Sequence, residues 1–157
     1  MGSKDALNAA TSAYSTYGGL FKEVVKEFGM EKALALAAKQ GESMGAQMAA
    51  TLKKKLGGKE LDTKTVAAVT KEMMDGSGYT YEMKETPASV VMKVDKCPFY
   101  EGLKMAGLDD KTIKSICTRM GEGTNDVIKK QFPKLQTRLK FRTSPDSFCT
   151  EEFALRK

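Results

Sequence analysis

Apolar residues recur every three or four positions through the first half of the chain. From residue 4 to 28 this spacing predicts one long helix or two short ones. A second helix is predicted from Glu31 to Lys55, and a third, capped by Asp62, ends at Gly76. The part from residue 1 to 76 is therefore predicted to be helical.

The hydrophobic period changes to two in the second half of the chain. Apolar and polar side chains alternate over residues 79–96 and again over 135–155, and each segment contains a turn signal. Ser144-Pro145-Asp146-Ser147 is the predicted turn of the later segment. The two segments are thus predicted to form two antiparallel hairpins.

Helices are predicted between the hairpins, over residues 98–132. A glycine-containing stop at Gly121 to Thr124 separates a helix that begins at Asp110 from a short helix, Asn125 to Gln131. The order of elements predicts an α+β fold, in which a helical N-terminal half packs on a four-stranded antiparallel sheet. Its length is typical of a single domain, which we place over residues 1–157.

Composition and charge limit the class of protein. With 41% hydrophobic and 29% charged residues the chain resembles an ordinary globular protein, and it has neither an apolar run that could span a bilayer nor the start of a signal peptide. We expect a cytoplasmic protein without membrane contact. The net charge is +6, but the lysines are scattered apart from a cluster at a predicted helix end. We expect a small-molecule ligand or substrate rather than nucleic acid, and a homo-oligomer stays open.

The chain has three cysteines and no histidine, which excludes the usual serine and cysteine triads. Cys97 directly precedes Pro98, at a predicted helix start. Backbone N–H groups and the helix dipole stabilise a thiolate at such a position, so we expect Cys97 to be a nucleophile with a lowered pKa. The alternative is a cysteine packed as a small hydrophobic residue.

The last strand places a carboxyl group beside a second thiol. Phe153 and Leu155 mark its inward face, and alternation puts Cys149 and Glu151 on that face too. Burial would raise the pKa of Glu151 toward neutrality, as suits a general acid or base. A register shifted by one residue would instead leave Glu151 in water. Cys117 lies on the apolar stripe of its helix, where a core role is the alternative to a site role.

Two further features leave alternatives open. Gly41 and Gly45 belong to a stripe of small residues on the second helix, which indicates either a ligand wall or tight helix packing. Three thiolates could ligate zinc, but the short spacing of zinc knuckles is missing between Cys97, Cys117 and Cys149. We therefore expect no cofactor and no metal, with a cysteine-ligated metal site as an alternative.

The second half of the chain resembles the L-2-amino-thiazoline-4-carboxylic acid hydrolase family, and more distantly it is similar to the 4-vinyl reductase domain. The resemblance covers about residues 40 to 155. It rests on the two glycines and on these segments and residues: Val94-Asp95-Lys96-Cys97-Pro98-Phe99, Gly107, Cys117, Leu139-Lys140-Phe141-Arg142-Thr143 and Cys149.

What the resemblance implies is a hydrolase that opens the ring of a small cyclic amidine or thiazoline acid at a C–N bond. A thiolate nucleophile suits such a carbon. Cys97, Cys117 and Cys149 match the cysteines of the family, and the resemblance implies Arg142 as the anchor of the substrate carboxylate. Together with the inward Glu151, which the strand pattern indicates, we expect Cys97, Cys149 and Glu151 to be the catalytic residues, and Arg142, Gly41, Gly45 and Cys117 to bind the substrate. The alternative is a non-catalytic module that binds an apolar or flat ligand, of the 4-vinyl reductase type.

Overall fold

The computed structural model describes residues 3–142 and 147–156. Within these residues the chain forms five helices and four strands: α1 (Ser3–Phe28), α2 (Met30–Leu56), α3 (Thr63–Gly76), β1 (Thr80–Glu85), β2 (Ser89–Lys96), α4 (Pro98–Met105), α5 (Asp110–Gln131), β3 (Leu135–Lys140) and β4 (Cys149–Leu155). None of these helices is long and apolar enough to cross a membrane.

The four strands form one antiparallel sheet in the order β1-β2-β4-β3. The two predicted hairpins are therefore joined side by side through their inner strands, β2 and β4. This confirms the predicted α+β class and the four-stranded sheet. Most of the predicted turn between β3 and β4 lies outside the described residues, which lack positions 143–146.

Local sequence accounts for several helix ends. The side chain of Asp62 accepts a hydrogen bond from the backbone nitrogen of Thr65 at 2.6 Å, and Asp109 caps α5 through Thr112 at 2.7 Å. Gly57 ends α2 in the left-handed conformation that glycine adopts without strain. The first helix is continuous from Ser3 to Phe28, so the prediction of one long helix, rather than two short ones, is confirmed.

The predicted helix stop at Gly121 to Thr124 is wrong, because α5 runs without a break from Asp110 to Gln131. Gly123 has another purpose. A β-carbon at this position would lie 2.1 Å from the carbonyl oxygen of Ala38 on α2. Glycine is needed here because the two helix backbones approach each other closely, so a residue that resembles a helix breaker is a packing residue.

The buried apolar residues form two clusters. One joins α3 and the end of α2 to the sheet and includes Leu52, Val69, Met92 and Phe153. The other joins α1, α4 and the first halves of α2 and α5. Residues of both clusters border a single cavity, which therefore lies where the sheet and the helices meet.

Candidate functional site

The cavity has a volume of about 530 Å³, within the range of pockets that hold drug-sized ligands. Its exposed wall is mostly apolar, and charged, amide and hydroxyl side chains border it at several places. Five of the seven predicted site residues border it: Cys97, Cys117, Arg142, Cys149 and Glu151. Four separate elements or loops thus bring together side chains that are up to 54 positions apart in the sequence, from 97 to 151.

Glu151 lies on the inner face of β4, in apolar surroundings. Its register partners are Met92 on β2 and Leu139 on β3, and Phe153 follows it on the same face. These neighbours withhold water from the carboxyl group, and burial raises its pKa to about 7. The predicted inward register is confirmed, and Glu151 carries a carboxyl group that titrates at neutral pH.

Cys97 caps α4, as the sequence predicts. Its sulfur accepts a hydrogen bond from the backbone nitrogen of Tyr100 at 3.4 Å, and Pro98 occupies the first turn. The predicted lowering of the Cys97 pKa is wrong. Burial raises the pKa of the thiol and outweighs the hydrogen bond, and the nearby Cys149 raises it further. At neutral pH Cys97 is therefore a protonated thiol that needs a base.

Tyr79 is a site residue that the sequence prediction missed. It precedes β1 and borders the cavity, and its hydroxyl group lies close enough to the Cys97 sulfur to lower the pKa of that thiol. Glu151 is near enough to contribute to its raised pKa, although burial is the larger cause. Tyr79 therefore stands close to both the thiol and the carboxyl group. Its place in the alternating pattern from residue 79 indicates a strand-edge aromatic residue, and only the tertiary fold reveals its partner.

Cys149 and Cys117 border the same cavity, and both are free thiols. The Cys149 sulfur accepts a hydrogen bond from the backbone nitrogen of Arg142 at 3.4 Å. Burial is the main cause of a strongly raised pKa at Cys117, to which Cys97 and Cys149 also contribute. Cys117 also packs against the helical core cluster. Its core role and its place on the cavity wall are therefore compatible.

Arg142 follows β3 and also borders the cavity. Its guanidinium group stacks over the ring of Tyr100, at 4.5 Å from the ring centre, and donates to the backbone oxygen of Asp95 at 3.1 Å. These contacts fix the plane of the guanidinium group. A rigid, positively charged fork at the wall of a cavity is the arrangement that binds a carboxylate well.

Gly41 and Gly45 do not border the cavity. A β-carbon at Gly41 would lie 2.0 Å from the carbonyl oxygen of Met120, and one at Gly45 would lie 2.6 Å from that of Thr124. Both glycines allow α2 to approach α5, and the hydroxyl group of Thr124 lies 2.9 Å from the carbonyl oxygen of Gly41. The structure thus places them in a helix interface, which is the packing interpretation, and away from the cavity wall.

Asp110 is the second carboxyl group on the cavity wall, and it differs from Glu151. It is exposed, accepts a hydrogen bond from Tyr100 at 2.8 Å and pairs with Lys104 at 3.3 Å. These two contacts hold its pKa below the ordinary value. Asp110 is therefore an anion at neutral pH with its partners already in place, while Glu151 is free to exchange a proton. The exposed Lys111 and Lys114 line the same part of the wall.

No metal site is formed by the described residues. Within 3–142 and 147–156, no group of three or more cysteine, aspartate or glutamate side chains is arranged to hold a metal ion. The three sulfurs share the cavity without forming such a cluster.

The model of the L-2-amino-thiazoline-4-carboxylic acid hydrolase family matches residues 9–148. The chain belongs to this family. The match confirms the resemblance and extends it into the N-terminal helices, while the more distant similarity to the 4-vinyl reductase domain is not confirmed. No curated protein is similar enough to match the chain.

The family match includes Cys97, Cys117 and Arg142 but ends just before Cys149. The family name indicates a hydrolase that acts on an acid of the amino-thiazoline type. The cavity offers groups suited to such chemistry: a thiol, a carboxyl group with a pKa of about 7 and a fixed cation. Cys149 and Glu151 belong to the same cavity although they lie beyond the matched residues.

Proposed function

We propose that the protein is a cysteine-dependent hydrolase of a small cyclic acid of the amidine or thiazoline type, and that the cavity is its active site. One observation carries the proposal: in a member of this hydrolase family, the buried carboxyl group of Glu151, with a pKa of about 7, shares the cavity with the Cys97 thiol, which caps α4. Without histidine, a carboxylate is the base that can activate a thiol at neutral pH.

Cys97 is the proposed nucleophile and Glu151 the proposed acid and base. The raised pKa of Cys97 means that the thiol must lose its proton during the reaction rather than before it. Glu151 can accept that proton because its own pKa is close to neutrality. The Tyr79 hydroxyl group lies near the same sulfur and favours its thiolate form. Cys149, which lies on the same face of β4 as Glu151, is the alternative nucleophile.

The proposed reaction has two stages. Glu151 takes the proton of Cys97 as the sulfur adds to the amidine carbon of the 2-imino tautomer, whose ring nitrogen already carries one hydrogen. The exocyclic C=N bond then re-forms as the ring C–N bond breaks, and Glu151 returns the proton to the departing ring nitrogen. Water then adds to the same carbon with Glu151 as base, the bond from carbon to the Cys97 sulfur breaks, and the thiol recovers its proton. The sum is the addition of one water molecule to the ring.

Arg142 is the proposed anchor of the substrate carboxylate. Its guanidinium plane is fixed by Tyr100 and by backbone oxygens, so little conformational freedom is lost when it binds an anion. The exposed Lys111 and Lys114 add positive charge to the same cavity. A carboxylate held at this wall would leave the ring of the substrate inside the cavity.

Turnover of 2-amino-thiazoline-4-carboxylic acid by single variants tests the proposal. Cys97→Ser and Glu151→Gln are each expected to lower kcat by about 100-fold or more. The matched controls, Cys117→Ser and Asp110→Asn, alter the other thiol and the other carboxyl group of the wall and are expected to keep kcat within about threefold. Full activity in Cys97→Ser would overturn the assignment of the nucleophile.

A second candidate is the non-catalytic binding of an apolar or flat ligand. The raised pKa values of Cys97 and Cys117 favour it, because a protonated, buried thiol is inert. The volume and apolar wall of the cavity also suit such a ligand. Ligand binding without any hydrolysis of the thiazoline acid would select this candidate.

A further inference from the structure

The cavity is larger than the cyclic acid proposed as substrate requires. An amino-thiazoline acid is one five-membered ring with two small substituents, whereas about 530 Å³ is space for a drug-sized ligand. The polar groups of the proposed mechanism occupy only part of the wall. The rest of the cavity must either hold water against apolar side chains or receive an apolar part of the ligand.

Five methionines line this remainder, and they come from three different helices. They are Met44 and Met48 of α2, Met73 and Met74 of α3, and Met120 of α5. The catalytic candidates Cys97, Cys149 and Glu151, by contrast, lie on or directly after the central strands β2 and β4. The methionine-lined part of the wall is therefore supplied by helices, whereas these three catalytic candidates come from the sheet side.

The methionine side chains are not all used to fill the core. Met44 is 37% exposed, and Met73 and Met74 are half-buried at the edge of a core cluster. Apolar surface left at a cavity wall is stabilised when a ligand covers it. Methionine adapts its shape to a ligand, and its sulfur makes favourable contacts with aromatic rings.

We propose that the ligand of this cavity carries an apolar, aromatic substituent on its cyclic acid, and that the methionine-lined part binds this substituent. The inference deepens the proposed function and rests on it for the identity of the cyclic acid. It assigns the methionines to specificity, with no part in the chemical step.

Two probes that lack the reactive ring can separate binding from turnover: 2-aminothiazole-4-carboxylic acid and its 5-phenyl derivative. Isothermal titration of the full chain is expected to show at least about tenfold tighter binding of the phenyl derivative, because the phenyl ring leaves water for an apolar wall. Equal or weaker binding of the phenyl derivative, or no binding of either probe, would overturn the inference.

Variants locate the substituent. Met44→Ala is expected to reduce the advantage of the phenyl derivative by at least about threefold, since a covered side chain is lost. The matched control is Met105→Ala, which removes an exposed methionine that is 67% accessible and does not border the cavity. An advantage that survives in Met44→Ala and also in Met73→Ala would contradict the assignment.

The inference and the proposed function fail separately. Tighter binding of the phenyl derivative without hydrolysis of any thiazoline acid would refute the proposed function and keep the inference. Hydrolysis that depends on Cys97, together with no preference for the phenyl derivative, would refute the inference and keep the proposed function.

Discussion

The Cys97 sulfur lies 3.4 Å from the backbone nitrogen of Tyr100, from which it accepts a hydrogen bond, and yet the pKa of this thiol is raised. Burial in the cavity wall opposes the effect of the helix start and outweighs it. The position of a cysteine at a helix N-terminus therefore does not make it a thiolate. The chemistry of Cys97 depends on what the cavity places around it.

Alkylation by iodoacetamide should be slow at Cys97 in the resting protein. At pH 7.5 we expect a rate below that of an ordinary peptide thiol, rising as the pH is increased, because the thiolate is the reactive form. Tyr79→Phe should slow the reaction further, because the Tyr79 hydroxyl group lowers the pKa of Cys97 and its removal raises that pKa. Mass spectrometry of the Cys97 peptide measures this rate.

Tyr81→Phe is the control for that experiment. The Tyr81 hydroxyl group donates to Asp75 at 2.7 Å, and Tyr81 does not border the cavity. Tyr81→Phe should leave the alkylation rate of Cys97 unchanged. A Cys97 peptide that is alkylated faster than a free peptide thiol at pH 7.5 would show that the raised pKa is wrong.

Glu151 should make the protein less stable as the pH rises. Its pKa is 4.5 in a solvated chain and about 7 in the fold, so the folded state holds the proton more tightly between these values. Its contribution to the free energy of unfolding is greatest below pH 4.5 and falls by about 3 kcal/mol as the pH rises through about 7. Urea unfolding at pH 4.5 and pH 8 measures the change.

Glu151→Gln should remove this part of the pH dependence, because the amide stays neutral at both pH values. Glu152→Gln is the matched control, since Glu152 lies on the opposite face of β4 and pairs with Arg138 at 3.6 Å. The same loss of stability between pH 4.5 and pH 8 in wild type and Glu151→Gln would contradict a buried, neutral Glu151.

Arg142→Lys should raise KM for the thiazoline acid by about tenfold and leave kcat nearly unchanged. Lysine keeps the charge but lacks the planar fork that binds a carboxylate through two hydrogen bonds. Arg138→Lys is the control, because Arg138 is exposed on β3 and does not border the cavity. Steady-state kinetics gives both constants, and an unchanged KM in Arg142→Lys would remove Arg142 as the anchor.

Gly123→Ala should destabilise the fold by about 1–3 kcal/mol, because the added carbon would lie 2.1 Å from the Ala38 carbonyl oxygen and force α5 away from α2. Gly19→Ala is the control within a helix, as its added carbon meets nothing within 4 Å. It should stabilise the protein by about 0.5–1 kcal/mol through helix propensity. Urea unfolding of both variants tests the contact, and a neutral Gly123→Ala would contradict it.

Much of the fold follows from local pattern. Alternation alone places Glu151 and Phe153 on one face of β4, and Asp62 and Asp109 mark the starts of their helices. The predicted helix stop at Gly123 is wrong because glycine occurs both at helix ends and where two helices pack closely. Only contacts between distant elements distinguish the two.

The candidate site was predicted less completely, for a related reason. The cap at Cys97 is local, and the sequence predicts it. The pKa of Cys97 depends on burial by residues far away in the chain, and the contact with Tyr79 spans a hairpin. The roles of Gly41 and Gly45 likewise depend on the approach of α5.

The proposed mechanism requires a covalent bond between the Cys97 sulfur and the amidine carbon of a thiazoline acid. Peptide mapping by mass spectrometry can detect this bond. The protein is mixed with an excess of 2-amino-thiazoline-4-carboxylic acid and quenched with acid within one turnover before the peptides are mapped. We expect a substrate adduct on the Cys97 peptide, which should be absent in Cys97→Ser. Turnover with no adduct on Cys97, or with an adduct on Cys149, would contradict it.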